Sequence, residues 1–209
     1  MKRKQLEWAL GSLSTFDRPK LELEQYATSA AVACDILYTV LHDGHLDGRV
    51  VADFGCGCGV LSVGAALLGA SFVAACDVDQ EALEACRSNA SEVEVAGEVD
   101  ILRADLIAEA GAQLRSGSVD TVVMNPPFGT KGNSGVDVAF LQRACSVAVS
   151  AVYSLHKTTT REFVLKSGRR FGWSGKVLAE LRYDLPASYK FHKRDSVDIA
   201  VDLVRFLPG

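Results

Sequence analysis

A short apolar run that passes directly into a glycine-rich loop constrains the fold of this chain most strongly. Residues 49–53 read Arg-Val-Val-Ala-Asp, and Gly55, Gly57 and Gly59 follow before a helical stretch over 60–69. Glycines between a strand and a helix let the backbone approach a ligand and leave the first N–H groups of the helix available. The spacing is not the dinucleotide pattern GxGxxG, because position 60 is Val. We predict a sheet with a cofactor site at the end of its first strand.

The rest of the chain alternates apolar runs with amphipathic stretches, which is typical of a parallel sheet covered on both faces. A helix over 2–16 and a second helix, capped by Thr28 or Ser29, precede the glycine loop. We predict strands over 49–53, 71–76, 99–103, 119–124 and 151–155, with helices over 60–69, 81–94, 136–150 and 159–171. Two final strands, over 176–183 and 197–206, have no helix between them and should pair antiparallel.

These elements predict an α/β fold with a seven-stranded, mostly parallel sheet, an antiparallel last strand and helices on both faces. We expect a single domain over 1–209, in which 1–27 form an N-terminal helix and a cofactor lid and 28–209 form the core. The composition is that of a globular protein, with 48% hydrophobic and 23% charged residues, which excludes disordered and collagen-like chains. The apolar runs are too short to span a bilayer, so we expect no membrane association. The six cysteines lack zinc-ligand spacing, so we predict no metal site.

Aspartates stand at the ends of the first three predicted strands. Asp53 precedes the glycine loop, Asp77 ends the second strand and Asp105 ends the third. An acid before a glycine loop disfavours a pyrophosphate and suits a positively charged cofactor. A carboxylate at the end of the second strand can accept hydrogen bonds from both hydroxyls of a ribose. Asp105 could accept one from an adenine amino group. One such aspartate is usually a turn residue, but three at one sheet edge favour a nucleoside cofactor.

The fourth predicted strand is followed by Asn125-Pro126-Pro127-Phe128. Adjacent prolines often only stiffen a turn, but this turn lies on the same edge as the glycine loop. An exocyclic or amide NH₂ group is a poor nucleophile because its lone pair is delocalised. The Asn125 side-chain oxygen and the Pro126 carbonyl can accept its two hydrogens, and Phe128 can stack on a planar base. We therefore predict direct methyl transfer from a sulfonium, with orientation supplying most of the acceleration.

Charge is distributed unevenly along the chain. Residues 1–154 hold 11 Lys and Arg against 20 Asp and Glu, or −9, whereas residues 155–209 hold 11 against 6, or +5. The basic excess is concentrated in 166–170 and 190–194, which are either two solvated loops or a phosphate-facing edge. Aromatic residues mixed with bases suit an unpaired nucleotide held by stacking and charge. The candidate RNA-binding residues are Lys190, Phe191, His192, Lys193 and Arg194.

Several of these segments together resemble known families. Asp53–Gly59 with Asp77 resembles the cofactor signature of class I S-adenosylmethionine methyltransferases. Asn125–Phe128 resembles the catalytic motif of those that methylate adenine N6 or a glutamine amide. Four segments resemble the methyltransferase-like five family, the eukaryotic N6-adenosine methyltransferases of small-subunit (18S) ribosomal RNA: Leu23–Thr28, Asn125–Lys131, Val152–Lys157 and Glu180–Lys193. The resemblance covers nearly the whole chain and implies a Rossmann-like class I methyltransferase fold.

The resemblance also implies individual residue roles. The target adenine is expected against the catalytic residues Asn125, Pro126, Pro127 and Phe128. From the N-terminal segment, Gln25 and Thr28 are expected to close over the cofactor. The implied cofactor-binding residues are Gln25, Thr28, Asp53, Gly55, Cys58, Val60, Asp77, Val78, Asp105, Leu106 and Asn125.

The resemblance further implies a heterodimer with a small zinc-binding activator that several methyltransferases share. This partner is expected to pair with the sheet edge, which we place at Val99–Arg103. We expect residence in the nucleus or nucleolus and in the cytoplasm. The nearest alternative is a protein glutamine-N5 methyltransferase of release-factor type, although those enzymes more often have Tyr in the fourth position of the tetrapeptide. A non-catalytic RNA-binding subunit is disfavoured by the complete glycine loop and tetrapeptide.

Overall fold

The computed structural model describes residues 1–108, 114–129, 135–186 and 196–209. Short 3₁₀ turns lie at Leu21–Leu23 and Thr158–Thr160. The helices are α1 Arg3–Gly11, α2 Ala30–His42, α3 Val60–Leu67, α4 Gln80–Glu92, α5 Val136–Val147 and α6 Arg161–Arg170. The strands are β1 Val50–Phe54, β2 Phe72–Asp77, β3 Val99–Arg103, β4 Val119–Met124, β5 Ala148–Lys157, β6 Trp173–Pro186 and β7 Ser196–Pro208.

The seven strands form one sheet in the order β3-β2-β1-β4-β5-β7-β6. Strands β1 to β5 pair in parallel, and β7 runs antiparallel between β5 and β6. The prediction of a Rossmann-like, mostly parallel sheet with an antiparallel last strand is therefore confirmed. The predicted edge strand β3 does lie at one edge of this sheet.

Two hydrophobic layers cover the faces of the sheet, because successive side chains of each strand point to opposite sides. Val51 and Val123 pack into the layer that contains α1, α2 and α3, whereas Ala52 and Val122 face the layer of α5 and α6. Leu6 of α1 is fully buried in the first layer. The N-terminal helix is thus packed against the core and places the segment after it beside the sheet.

Helix α1 ends at Gly11 instead of residue 16. Other boundaries differ from the prediction because sheet pairing outweighs local helical periodicity. Helix α5 ends at Val147 instead of residue 150, because Ala148 pairs with Val119 and begins β5 three residues early. Strands β6 and β7 are also longer than predicted, since they pair along 173–186 and 196–208. Among the described helices, none is long and apolar enough to cross a membrane.

The fold brings the carboxyl ends of the parallel strands together on one side of the sheet, which we call the site edge. Strands β1 to β5 all end there, and the strand order reverses between β1 and β4, with β2 and β3 beyond β1 and β5 beyond β4. Ligands of open α/β sheets bind at such a switch point, outside the carboxyl ends of the strands. The glycine loop after β1 and the tetrapeptide after β4 both lie there.

Candidate active site

A cavity of about 360 Å³ opens at the carboxyl ends of β1, β2 and β4. A volume of this size is sufficient for a small-molecule ligand. Every residue predicted to bind the cofactor lines it: Gln25, Thr28, Asp53, Gly55, Cys58, Val60, Asp77, Val78, Asp105, Leu106 and Asn125. The structure thus brings the predicted set together, and cofactor binding by these residues stays a prediction.

The glycine loop takes backbone conformations that other residues rarely adopt. Gly57 has φ 52°, and a Cβ atom there would lie 2.8 Å from the ring of Phe16. Gly59 has φ 87°, and its Cβ would lie 2.4 Å from the sulfur of Cys86. Glycine at both positions lets the N-terminal segment and α4 close tightly on the loop.

Asp53 is the most unusual charged group of the site. Its side chain is 1% exposed, and its Oδ2 accepts a hydrogen bond from Ser62 Oγ at 2.6 Å. Its Oδ1 has no hydrogen-bond partner in the part of the chain that the structure describes. Burial raises the pKa of Asp53 to about 7. A buried carboxylate oxygen bordering the cavity favours a cationic ligand, because such a ligand would stabilise the ionised form.

The other two aspartates are held differently. Asp77 accepts from the backbone N–H groups of Gly57 and Asp79, both at 2.9 Å, and burial raises its pKa. The exposed Asp105 caps its own turn, with Oδ1 accepting from Ile107 N at 3.0 Å. Both carboxylates border the cavity while stabilising the loops that carry them.

The N-terminal segment between α1 and α2 is fastened to α4. Buried Asn89 accepts from Ser14 N at 2.9 Å and donates to the carbonyls of Ser14 and Cys58 at 2.9 and 2.8 Å. Gln25 accepts from Lys20 N at 2.8 Å and donates to Asp79 at 2.6 Å. The Gln25 amide therefore joins the segment to the start of α4, and Gln25 also borders the cavity.

The reactive tetrapeptide is held by the same N-terminal segment. Asn125 Nδ2 donates to Thr28 Oγ1 at 2.9 Å, and Phe128 N donates to Glu24 Oε2 at 3.0 Å. Asn125 and Pro127 border the large cavity. A second cavity of about 20 Å³ lies beside it, lined by Glu24, Tyr26, Asn125, Pro126, Pro127 and Phe128. Asn125 and Pro127 thus lie at the junction of the two cavities, and Pro126 and Phe128 border the small one.

Cys58 borders the cavity as a neutral group. Burial raises the pKa of its thiol to about 12, so it contributes a small apolar wall and not a thiolate. Among the described residues, no cluster of three or more His, Cys, Asp and Glu side chains could hold a metal ion. The predicted RNA-binding residues Lys190–Arg194 lie outside the described residues.

Sequence reasoning missed three residues that shape the site: Phe16, Glu24 and Asn89. Phe16 lies over Gly57, Glu24 holds Phe128, and Asn89 joins the glycine loop to α4. One sequence signal was available, since Glu24 stands within the Leu23–Thr28 segment that carries the family resemblance.

Comparison with known proteins identifies the family. The model of the methyltransferase small domain matches residues 29–152. The chain is 49% identical over 209 residues to the rRNA N(6)-adenosine-methyltransferase METTL5 of Danio rerio, with both proteins covered completely. The chain belongs to the METTL5 family. Its resemblance to the methyltransferase-like five family is thereby confirmed.

Further comparisons extend the METTL5-family assignment. The Drosophila melanogaster rRNA N(6)-adenosine-methyltransferase Mettl5 is 44% identical, with 100% of this chain and 98% of that protein covered. The crystal structure of PH1948 from Pyrococcus horikoshii superposes with a TM-score of 0.85 at 34% identity, covering 100% of this chain and 96% of the other. The METTL5-family assignment therefore rests on full-length similarity in sequence and on the same fold.

Proposed function

We propose that the chain is the catalytic subunit of an S-adenosylmethionine-dependent N6-adenosine methyltransferase of small-subunit (18S) ribosomal RNA. The observation that carries this proposal is the position of the tetrapeptide, whose four residues line the small cavity while Asn125 and Pro127 also border the large one. A cofactor in the large cavity and a base approaching the tetrapeptide from the side of the small one, which by itself holds about one water molecule, would meet at these residues. The Danio rerio and Drosophila melanogaster relatives are named rRNA N(6)-adenosine-methyltransferases, which supports adenosine in ribosomal RNA as the substrate.

The residues of the large cavity fit S-adenosylmethionine, which would supply an electrophilic methyl group on a positively charged sulfur. Asp53 presents a buried carboxylate oxygen with no partner among the described residues, which suits a cationic ligand. Asp77 would accept from the ribose hydroxyls, and Asp105 would lie beside the adenine. Gly57 and Gly59 let the loop backbone approach the ligand closely.

The chain's own residues then orient the acceptor. The Asn125 side-chain oxygen and the Pro126 carbonyl accept the two hydrogens of the adenine amino group, which directs its lone pair toward the methyl group. Phe128 stacks on the base. Orientation supplies most of the acceleration, so the site needs no strong general base, and we assign His192 to RNA binding. One amino proton leaves to solvent after transfer.

A heterodimer with a small zinc-binding activator forms part of this proposal. Strand β3 ends the sheet, so one side of its backbone has no neighbouring strand in the described part of the chain. Edge strands of this kind are templates for pairing with another chain. We expect amide exchange along Val99–Arg103 to slow when the activator binds. Unchanged exchange at β3 in a complex that still forms would place the partner elsewhere.

The test is a substrate competition. The chain is co-expressed with the activator and given labelled methyl donor, with 18S ribosomal RNA and release factor offered together. We expect label in RNA as N6-methyladenosine, and its loss in Asn125→Ala. Label in the protein instead would establish the glutamine-N5 alternative. Failure to bind the methyl donor even with the activator present would favour a non-catalytic RNA-binding subunit.

A further inference from the structure

Glu24 has two unusual properties for an acidic residue of a surface segment. Its side chain is only 6% exposed, and its backbone is left-handed, with φ 50° and ψ 45°. It directly follows the 3₁₀ turn Leu21–Leu23, whose Leu21 carbonyl accepts its N–H at 3.1 Å. Burial of a carboxylate and a left-handed non-glycine backbone both cost free energy. Such features persist where the surrounding structure fixes them, and they concentrate at functional sites.

Glu24 accepts a hydrogen bond from the last residue of the tetrapeptide, Phe128. Pro126 and Pro127 have no backbone N–H, so the Phe128 N–H is the first backbone donor after Asn125. Glu24 Oε2 accepts it at 3.0 Å. A carboxylate acceptor makes this bond stronger than one between neutral groups.

The same short segment also fixes the other end of the tetrapeptide. Thr28, four residues after Glu24, accepts from the Asn125 amide at 2.9 Å. Between them Gln25 anchors the segment to Asp79 at the start of α4. The tetrapeptide is therefore positioned from outside its own strand, by a segment that is itself tied to the cofactor cavity.

We propose that Glu24 is a positioning residue for methyl transfer. It fixes the Phe128 N–H, so that the Asn125 oxygen and the Pro126 carbonyl stay directed at the acceptor amino group and the Phe128 ring stays in place to stack. This inference rests on the proposed function, because it places the acceptor base against the tetrapeptide, beside the two cavities that Glu24 lines. Glu24 acts through the tetrapeptide, so its loss should lower the turnover rate more than it weakens cofactor binding.

Two variants of Glu24 separate positioning from a merely structural role. Glu24→Ala removes the acceptor, whereas Glu24→Gln keeps an amide oxygen of the same reach and removes the charge. We expect kcat with saturating RNA and cofactor to fall about 100-fold in Glu24→Ala, since small misplacements cost that much, while the cofactor Kd changes less than about threefold. Glu24→Gln should recover kcat to within about tenfold of the unmodified chain. Exposed Glu92, changed to Ala and to Gln, is the matched control and should leave both quantities unchanged.

An activity-independent measurement keeps this test distinct from that of the proposed function. In ¹H–¹⁵N spectra of the complex with the activator, the Phe128 amide should be protected from exchange, lose protection in Glu24→Ala and keep it in Glu24→Gln. Retained protection in Glu24→Ala, or equal losses of kcat in the Ala and Gln variants, would overturn the role of Glu24. A chain that shows this amide pattern but never methylates RNA would instead overturn the proposed function.

Discussion

At the scale of single residues, burial determines the charge of Asp53. The carboxyl group is almost inaccessible, and its one described hydrogen bond comes from Ser62. Because burial penalises the charged form, the pKa rises from 3.8 to about 7. Asp53 is therefore a group that ionises near neutral pH, where a cationic ligand would stabilise its charged form.

The stability of the ligand-free chain should decrease as this carboxyl ionises. Between pH 3.8 and about 7, folded Asp53 keeps a proton that the unfolded chain has already lost. Its stabilising contribution is therefore complete below pH 3.8 and is lost as pH rises through the folded pKa. From pH 5 to pH 7 we expect it to lower the free energy of unfolding by about 2 kcal/mol. In urea titrations at several pH values, Asp53→Asn should lack this loss, whereas the exposed control Asp100→Asn should retain it. The prediction would be contradicted if the free energy of unfolding of Asp53→Asn fell with pH as steeply as that of the unmodified chain.

The affinity for S-adenosylmethionine should show the opposite pH dependence. A cationic ligand needs the ionised carboxylate, whose fraction rises from about one tenth at pH 6 to nearly all at pH 8 when the pKa is about 7. The cofactor Kd should therefore fall about tenfold over this range. Calorimetry on Asp53→Asn should show weak binding with no such trend. An equal pH trend in Asp53→Asn would assign the titration to the cofactor itself.

At the scale of elements, the N-terminal segment is joined to α4 by contacts of unequal burial. Lys20 donates to Asp79 at 2.5 Å, and the Asp79 side chain is only 6% exposed. Burial alone would raise the pKa of Asp79, but the hydrogen bonds from Lys20 and Gln25 hold it below its ordinary value. Nearby, Arg18 contacts Glu81 at 3.3 Å with both side chains largely exposed. Exposed pairs contribute little, so the segment depends on the contact with Asp79.

The Lys20–Asp79 and Arg18–Glu81 contacts therefore provide a matched pair of variants. Lys20→Ala should increase the cofactor dissociation rate by roughly three- to tenfold, because the segment that closes the cavity loses a partly buried anchor. Arg18→Ala removes the same charge from the same segment and should leave the rate within about twofold. Stopped-flow release of a fluorescent cofactor analogue measures both. Equal rates for the two variants would show that the segment does not control release.

Sequence reasoning predicted the elements that a local pattern of residues specifies. It did not predict the contacts between residues that are far apart in the sequence. Strands β3 and β4 have the predicted bounds, since β-branched and other apolar residues make up most of each. The acids at the strand ends followed from the rule that parallel strands end at one edge. No local pattern indicates the contacts of Glu24 and Asn89, because their partners Phe128 and Ser14 lie 104 and 75 residues away.

At the scale of the whole molecule, charge separates the two parts of the chain. Residues 1–154 carry −9 and residues 155–209 carry +5. An acidic body repels an RNA backbone, so the basic part would determine where RNA approaches. Helix α6 runs from the end of β5 at the site edge back toward the opposite edge, which places Lys166–Arg170 away from the cavities. The other basic cluster, 190–194, follows β6 in the sequence and lies outside the described residues.

The two basic clusters allow the effects of overall charge and of location to be separated experimentally. A triple variant replaces Lys190, Lys193 and Arg194 with Ala. It should bind RNA more weakly, and the slope of log K against log salt should fall in magnitude by about 2, because each lost phosphate contact contributes about 0.7 for a single strand. Lys166, Arg169 and Arg170 changed to Ala remove the same charge from the far end of α6. If RNA passes over the site edge, this control should change the slope by less than half as much. Equal slopes for the two triple variants would mean that overall charge, and not a surface beside the site, attracts the RNA.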